Sequence, residues 1–475
     1  MKFPQFLLAG IFLAGGTIAC RPLHISIPAP DPNAAAEPPR MATPNNRDIV
    51  RSNQVRSLPG QLDDTPMFNS NSPEWVKTEG ILLSTFPPEG KQVPAAHLNF
   101  PFDGDFTIFA HHFTHTPPDL KTLYIGILVR NPGKQPVTLS IFEAASYLME
   151  PDAPFKQQEP MLDNPNGDIF SGPGIRAVDN VLRGRRLEDF PAQIVIPPGQ
   201  SRMLMNLPIP VRNLPEPING RSSFIHLASR GQVYVASLAM YAQKNDDGTE
   251  RAPTLEEWQN VLDKGGLAGP RDRVPTPPNQ TGGSLVYGRV AGVQQGSRWQ
   301  ANLTDEASDR LTLPTVDRPI SYVISTLRGG RLGTPQLQAA PMQVRYPDTA
   351  YESHGNYGVR YDLKLPLFND TDRTQKVAIK LETPIKEDQL SQGGLRFRQP
   401  PLDFPFFRGT VRLSTMKGEE RSAMRYIHLW HRQGQVIEPL ETVEIAPQEV
   451  RLLRLEFLYP PDSVPPQVLT IETVK

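Results

Sequence analysis

Apolar positions in this chain cluster into short runs punctuated by turn residues. LYIGILVR (Leu123–Arg130) and VTLSIF (Val137–Phe142) are separated by Asn131-Pro132-Gly133-Lys134-Gln135-Pro136. Such β-rich runs around Pro/Gly/Asn chemistry predict two strands and a tight connection. IVIPPGQSRMLMNLPIP (Ile194–Pro210) predicts strand, turn, strand, and QVYVASLAM (Gln232–Met240) predicts one strand more. The second half repeats the pattern: DLKLPLF (Asp362–Phe368), the turn Asn369-Asp370-Thr371-Asp372, then Lys376–Leu381. VEIAPQEVR (Val443–Arg451) lies on IVIPPGQSR (Ile194–Arg202) without a gap, with Ile445 on Ile196, Pro447 on Pro198 and Arg451 on Arg202. A looser match sets Phe407–Arg412 against Phe170–Arg176. Blocks in the same order suggest an internal duplication, against the alternative of coincidence among generic sandwich turns.

The pattern predicts an all-β fold: two antiparallel β-sandwich domains related by duplication, at 58–250 and 285–475. One short helix is expected between them, in a helix-and-linker segment spanning 251–284. Thr254 and Glu257 form a capping box, Leu255, Trp258 and Leu262 share a face, and Gly265-Gly266 ends the helix. Proline strengthens the reading. The chain holds 52 among 475 residues, about twice the usual share of roughly 5%, and proline is expelled from helix interiors and central strands.

The amino end has its own layout. Lys2 precedes an apolar run, Phe6–Ala19 (FLLAGIFLAGGTIA), which is too short and glycine-rich for a transmembrane span and reads as a secretory leader over 1–20. Thr17-Ile18-Ala19-Cys20 resembles the bacterial lipoprotein signal, in which the cysteine becomes the lipidated N-terminus, although Thr17 and Ile18 depart from its usual residues. The alternative is an ordinary leader cut near Ala34-Ala35-Ala36, with Cys20 discarded. Cys20 is the sole cysteine, so no internal disulfide can form even in an oxidising compartment. Residues 21–57 are rich in Pro, Ala and Asn and predict a disordered tether. The expected location is therefore exported, periplasmic or associated with the outer membrane, with a lipid anchor as the membrane contact.

Charge is balanced, 49 Lys plus Arg against 50 Asp plus Glu, so no global field draws the chain to nucleic acid. No nucleophile elbow, phosphate loop or dinucleotide fingerprint occurs, and no catalytic residue, cofactor or metal is assigned. His111, His112 and His115 sit in FTIFAHHFTH, whose interleaved aromatics read as a strand. On a strand His111 and His115 lie about 13 Å apart, too far for one metal. Asx-rich turns at Asn245-Asp246-Asp247-Gly248 and Asn369–Asp372 lack the calcium-loop continuation.

The candidate binding surface is Arg396, Phe397, Arg398, Phe404, Phe406 and Phe407 in the Gly393–Gly409 loop, with Arg183, Arg185 and Arg186 in the corresponding first-half loop and Trp75. Arg and aromatic residues together favour binding surfaces. The competing reading folds these phenylalanines back over the sandwich. FNSNSPEWVKTEGILLSTFPPEG (Phe68–Gly90), AHLNFPFDGDFTIFAHH (Ala96–His112), SGPGIR and LRGRR together resemble a cyanobacterial family, domain of unknown function 3370. That resemblance implies an exported protein of a photosynthetic bacterium with no established activity. Asn69, Asn71, Glu74 and Trp75 would bind a sugar or build a corner of the first sandwich. The functional expectation is a non-enzymatic, lipid-anchored envelope protein whose partner is an envelope polysaccharide or protein. Its rival is a carbohydrate-active hydrolase with an interdomain cleft. Cys20→Ser should release the protein from the membrane fraction, read by fractionation and immunoblot; an unchanged membrane fraction overturns the anchor.

Overall fold

The computed structural model describes residues 47–474 except 117–118, 281–282 and 418–419. The leader, Cys20 and residues 21–46 of the expected tether lie outside the described residues. The rest of that tether corrects the expectation. Arg47–Arg51 pairs with Leu395–Gln399, and Gln54–Ser57 runs parallel to Ile320–Ile324. Ile49 and Val55 pack on a small core around Leu395 and Phe397. Their partners stand hundreds of positions away, so no local pattern announces these strands.

Strands dominate the described residues, and the fold is an all-β sandwich architecture. In the first sandwich, Gln193–Ile196, Val137–Leu148, Ile218–Tyr241, Phe102–His115 and Met67–Asn71 lie side by side. The other layer holds Ser201–Ile209, Leu123–Arg130 and Gly80–Ser84. Ile218–Tyr241 belongs to both. Up to Ser229 it pairs with the first layer, its register shifts before Val233, and from Tyr234 it pairs with the second. Ile108, Leu139 and Ile225 meet Ile125, Ile127 and Val235 in one core. The second sandwich sets an eight-stranded sheet centred on Arg360–Phe368, Val450–Leu458 and Pro405–Lys417 against a five-stranded sheet holding Gln467–Val474 and Gln375–Glu382. Leu363, Leu453 and Leu455 interlock there with Ile379, Leu381 and Ile471.

The halves exchange edges, which corrects the expected division at 251–284. Val290–Gln294 and Ala340–Arg345 extend the first-half sheet beyond Met67–Asn71. Gln61–Leu62 and Met161–Asp163 extend the second-half sheet at its two ends. Among the described residues four strand pairs are parallel, including Met67–Asn71 with Phe102–His115 and Arg298–Asn302 with Arg360–Phe368, so the sheets are mixed.

One asparagine arrangement occurs twice. Asn131 Nδ2 donates to the Gln135 and Ile196 carbonyls at 2.7 and 2.9 Å, and its Oδ1 accepts from Gly133 N at 2.8 Å. Asn369 Nδ2 donates to the Arg373 and Ile445 carbonyls at 2.8 Å each, and its Oδ1 accepts from Thr371 N at 3.1 Å. Each asparagine ties a hairpin turn to the strand of the ungapped sequence block.

Two α-helices occur among the described residues. The expected one, Leu255–Lys264, carries its capping box, with Thr254 N donating to Glu257 Oε2 at 2.7 Å and Trp258 buried against Gly126. The other, α1 (Pro173–Leu182), stands where a loop was expected. Every residue of it except Arg176 is buried, and it packs on strands of both halves. Pro173 suits the first helical turn, and Ile175, Val178, Val181 and Leu182 supply a helical stripe. A Cβ at Gly172, whose φ is +140°, would lie 2.5 Å from the Phe155 ring, and one at Gly174 would lie 2.6 Å from Pro461 Cβ. Gly172→Ala should therefore lower stability by about 1–3 kcal/mol, measured by urea unfolding. Gly266, with open space around it and no positive φ, is the control: its Ala variant should unfold at the wild-type midpoint.

Candidate functional site

The second-half sheet is two-faced because side chains alternate along each strand. Tyr361, Leu363, Leu455, Phe457, Val411 and Leu413 point into the sandwich core. The intervening positions are charged: Arg298, Arg360 and Asp362, Arg454 and Glu456, and Arg412. Strand register sets them side by side, Arg298 opposite Arg360, Asp362 opposite Glu456, and Glu456 opposite Arg412.

The last turn of α1 and the strand Val137–Leu148 cover this face and leave a pocket of about 300 Å³. That is the lower end of ligand-sized cavities, roughly 300–1,000 Å³. Its lining holds six arginines (Arg183, Arg298, Arg360, Arg412, Arg421, Arg454) against three carboxylates (Glu143, Asp362, Glu456).

The carboxylates are already held. Glu456, 1% exposed, accepts from Arg412 Nη2 and Nε at 2.5 and 3.0 Å and from Arg421 Nη2 at 2.7 Å, with Arg360 and Arg454 at 3.5 and 3.4 Å. Asp362 takes two 2.6 Å bonds from Arg454. Burial pushes the Asp362 carboxyl up, but the Arg454 hydrogen bond and the charges of Arg454, Arg360 and Arg298 outweigh it, so it stays below its usual range. Glu143 is held low in the same sense, against burial, by His226 at 2.6 Å and by Arg360 and Arg298.

Two cations remain in surplus. The Arg298 guanidinium has no hydrogen-bond or ion-pair partner among the described residues. Among the described residues the Arg360 guanidinium has only its 3.5 Å contact with Glu456. Burial lowers the Arg360 guanidinium, Glu456 opposes that, and the like charges of Arg412 and Arg298 add to the lowering. An anion entering here would relieve repulsion among cations already in place.

Arg183 is the member of the sequence-derived binding surface that lines this pocket. It donates to Asp179 Oδ2 at 2.9 Å and to the Asn164 and Pro165 carbonyls, and its guanidinium lies 3.9 Å from the Tyr426 ring centre. Arg185 and Arg186 are exposed, donating to the carbonyls of Asn166 and Ile141.

The Arg–Phe loop is corrected. It forms the strand Leu395–Gln399 and the start of Pro405–Lys417, with Phe397, Phe406 and Phe407 buried and Phe404 half-buried. Arg396 and Arg398 are taken up by Asp48 and Glu387. No exposed aromatic patch results. Arg408 is fully buried and donates to the Asp462 carbonyl at 2.8 Å, while Asp403 pairs with Arg432. Asn69 bonds Gln294, and Glu74 forms a buried pair with Arg289 at 2.9 Å, so these residues build a corner. Trp75 stays 39% exposed against His115. The pocket arginines were visible as alternating charged positions in RYDLKLPLF and RLLRLEFL, but only strand register shows that they converge.

FTIFAHHFTH is a strand, with His111 and His112 facing opposite ways, to Ser222 at 2.7 Å and Ser70 at 2.8 Å. Among the described residues no group of three or more His, Cys, Asp or Glu is placed to hold a metal ion.

The chain belongs to the family of proteins of unknown function DUF3370, which it matches over residues 53–473. Among curated proteins none matches it.

Histidines buried in the interior carry an acid liability. Burial holds His354 and His431 down at about 3 and His428 at about 4, with the charges of Lys386, His428 and Arg408 adding to the lowering. Unfolded, these imidazoles take up protons near 6.5 (about the usual value), so below that pH the unfolded chain binds more protons. Their contribution is complete above about pH 6.5 and is lost as pH falls towards the folded values. Urea midpoints should fall steadily from about pH 6.5 to about pH 4.5, and a flat series would contradict this protonation state.

Proposed function

We propose that this is an exported envelope protein, anchored through Cys20, that binds a partner bearing an anionic group and does not turn it over. The observation that carries the reading is the arginine pocket, with six guanidinium groups against three carboxylates and Arg298 without a hydrogen-bond or ion-pair partner among the described residues. The apolar leader ending at Cys20 supports export and anchoring. The periplasmic or outer-membrane location, the cyanobacterial origin and an envelope polysaccharide or protein as partner belong to the same proposal. The recurring Asn131 and Asn369 arrangement, with the ungapped sequence block, supports descent of the two halves by duplication.

The hydrolase reading is disfavoured by the same pocket. Glycoside hydrolysis uses a carboxyl raised far enough to donate a proton at working pH. Glu143 and Asp362 are both held low, by His226 and Arg454 respectively. Calorimetric titration with inorganic sulfate at low ionic strength should give one saturable site. Arg298→Gln should weaken it by about tenfold, the loss of roughly one charge-assisted contact. Absence of saturable binding, or an Arg298→Gln protein that binds like wild type, overturns the proposal.

A further inference from the structure

The strand that supplies Glu143 is irregular where it reaches the pocket. His226 pairs with Glu143 and the next residue, Leu227, pairs with Ile141, so Phe142 is the extra residue of a β-bulge. A bulge turns a side chain away from its alternating direction. Phe142 is 45% exposed, a large apolar ring at the protein surface. Its ring meets His226 at 5.2 Å, and His226 Nδ1 lies 2.6 Å from Glu143 Oε2, which lines the pocket. An exposed aromatic face thus stands one side chain away from a cavity with surplus positive charge. The fold gains little from that ring. Within its own strand, Leu139 and Ile141 are buried in the core while Phe142 is not.

We propose that the pocket receives a sugar residue carrying a carboxylate or sulfate substituent. This rests on the anion-binding reading above and names its ligand class. The anionic substituent meets Arg298 and Arg360, the two cations not saturated by carboxylates. The apolar C–H face of the ring lies against Phe142, and Glu143, Gln300 and Asp362 at the lining accept hydroxyl protons. A free inorganic anion uses the first of these contacts alone. A neutral sugar lacks the first and leaves the surplus charge unmet.

The test uses the purified full-length protein in calorimetric titrations. The probes are inorganic sulfate, trigalacturonate, galactose 6-sulfate and maltotriose. At least one acidic sugar should bind about tenfold tighter than inorganic sulfate, a difference of roughly 1.4 kcal/mol, and maltotriose should not bind. The carboxylated and sulfated arms decide which substituent is preferred. Phe142→Ala, at an exposed position, should keep the wild-type melting temperature and sulfate affinity while losing the acidic-sugar advantage. Arg298→Gln should weaken sulfate and acidic sugars together. If sulfate binds but neither acidic sugar is tighter, or Phe142→Ala leaves the sugars unaffected, the sugar assignment is overturned and anion binding stands. If no anion binds, both fall.

Discussion

A carboxylate buried as deeply as Glu456 needs cations around it, because removing a lone charge from water costs several kcal/mol. Arg412, Arg421, Arg454 and Arg360 all do so. Much of the junction follows from this. Arg412 also donates to the Leu182 carbonyl at the end of α1, which holds the helix against the sheet and places a cation at the negative end of its dipole. Gathering so many guanidinium groups around one acid, with a second acid held by Arg454, leaves the surplus that makes the cavity electropositive. The same residues thus hold the buried acids on one side and line the cavity on the other.

The two sandwiches are bound less by a linker than by shared sheets. Each half contributes edge strands to the other, and α1 packs on strands from both, with Ala177, Val178, Val181 and Leu182 in the second-half core. Met67–Asn71, covered by Val290–Gln294, spends its ladder within its own chain. The pocket sits at this shared junction, which explains why residues as distant as Glu143, Arg298 and Glu456 line one cavity.

Much of the sheet architecture was legible, because strands with a buried face announce themselves by apolar runs and turn residues. Leu123–Arg130 falls where LYIGILVR predicts it, and the Thr254 capping box is present in full. What stayed hidden depends on partners remote in sequence. Arg47–Arg51 and Gln54–Ser57 are too polar and short to read as strands without Leu395–Gln399 and Ile320–Ile324. The start of α1 was masked by Gly172 and Gly174, which read as turn residues but are there because Phe155 and Pro461 leave no room for a Cβ. Phe397 and Phe407 looked like binding residues because composition does not tell a core-facing aromatic from an exposed one. Phe142 falls on the outward face set by Val137, Leu139 and Ile141, but the bulge beside it and the His226 ring it meets are set by a partner strand remote in sequence.

The pairing of Ile49 with Phe397 bears on the order in which the molecule is made. The first described strand finds its neighbour only after some 350 further residues exist, since Asp48 and Arg398 are 350 positions apart. Contacts of such separation close slowly, because chain entropy must be lost before they form. In a chain that appears amino end first, Arg47–Arg51 therefore stays without its neighbour until residues 395–399 exist.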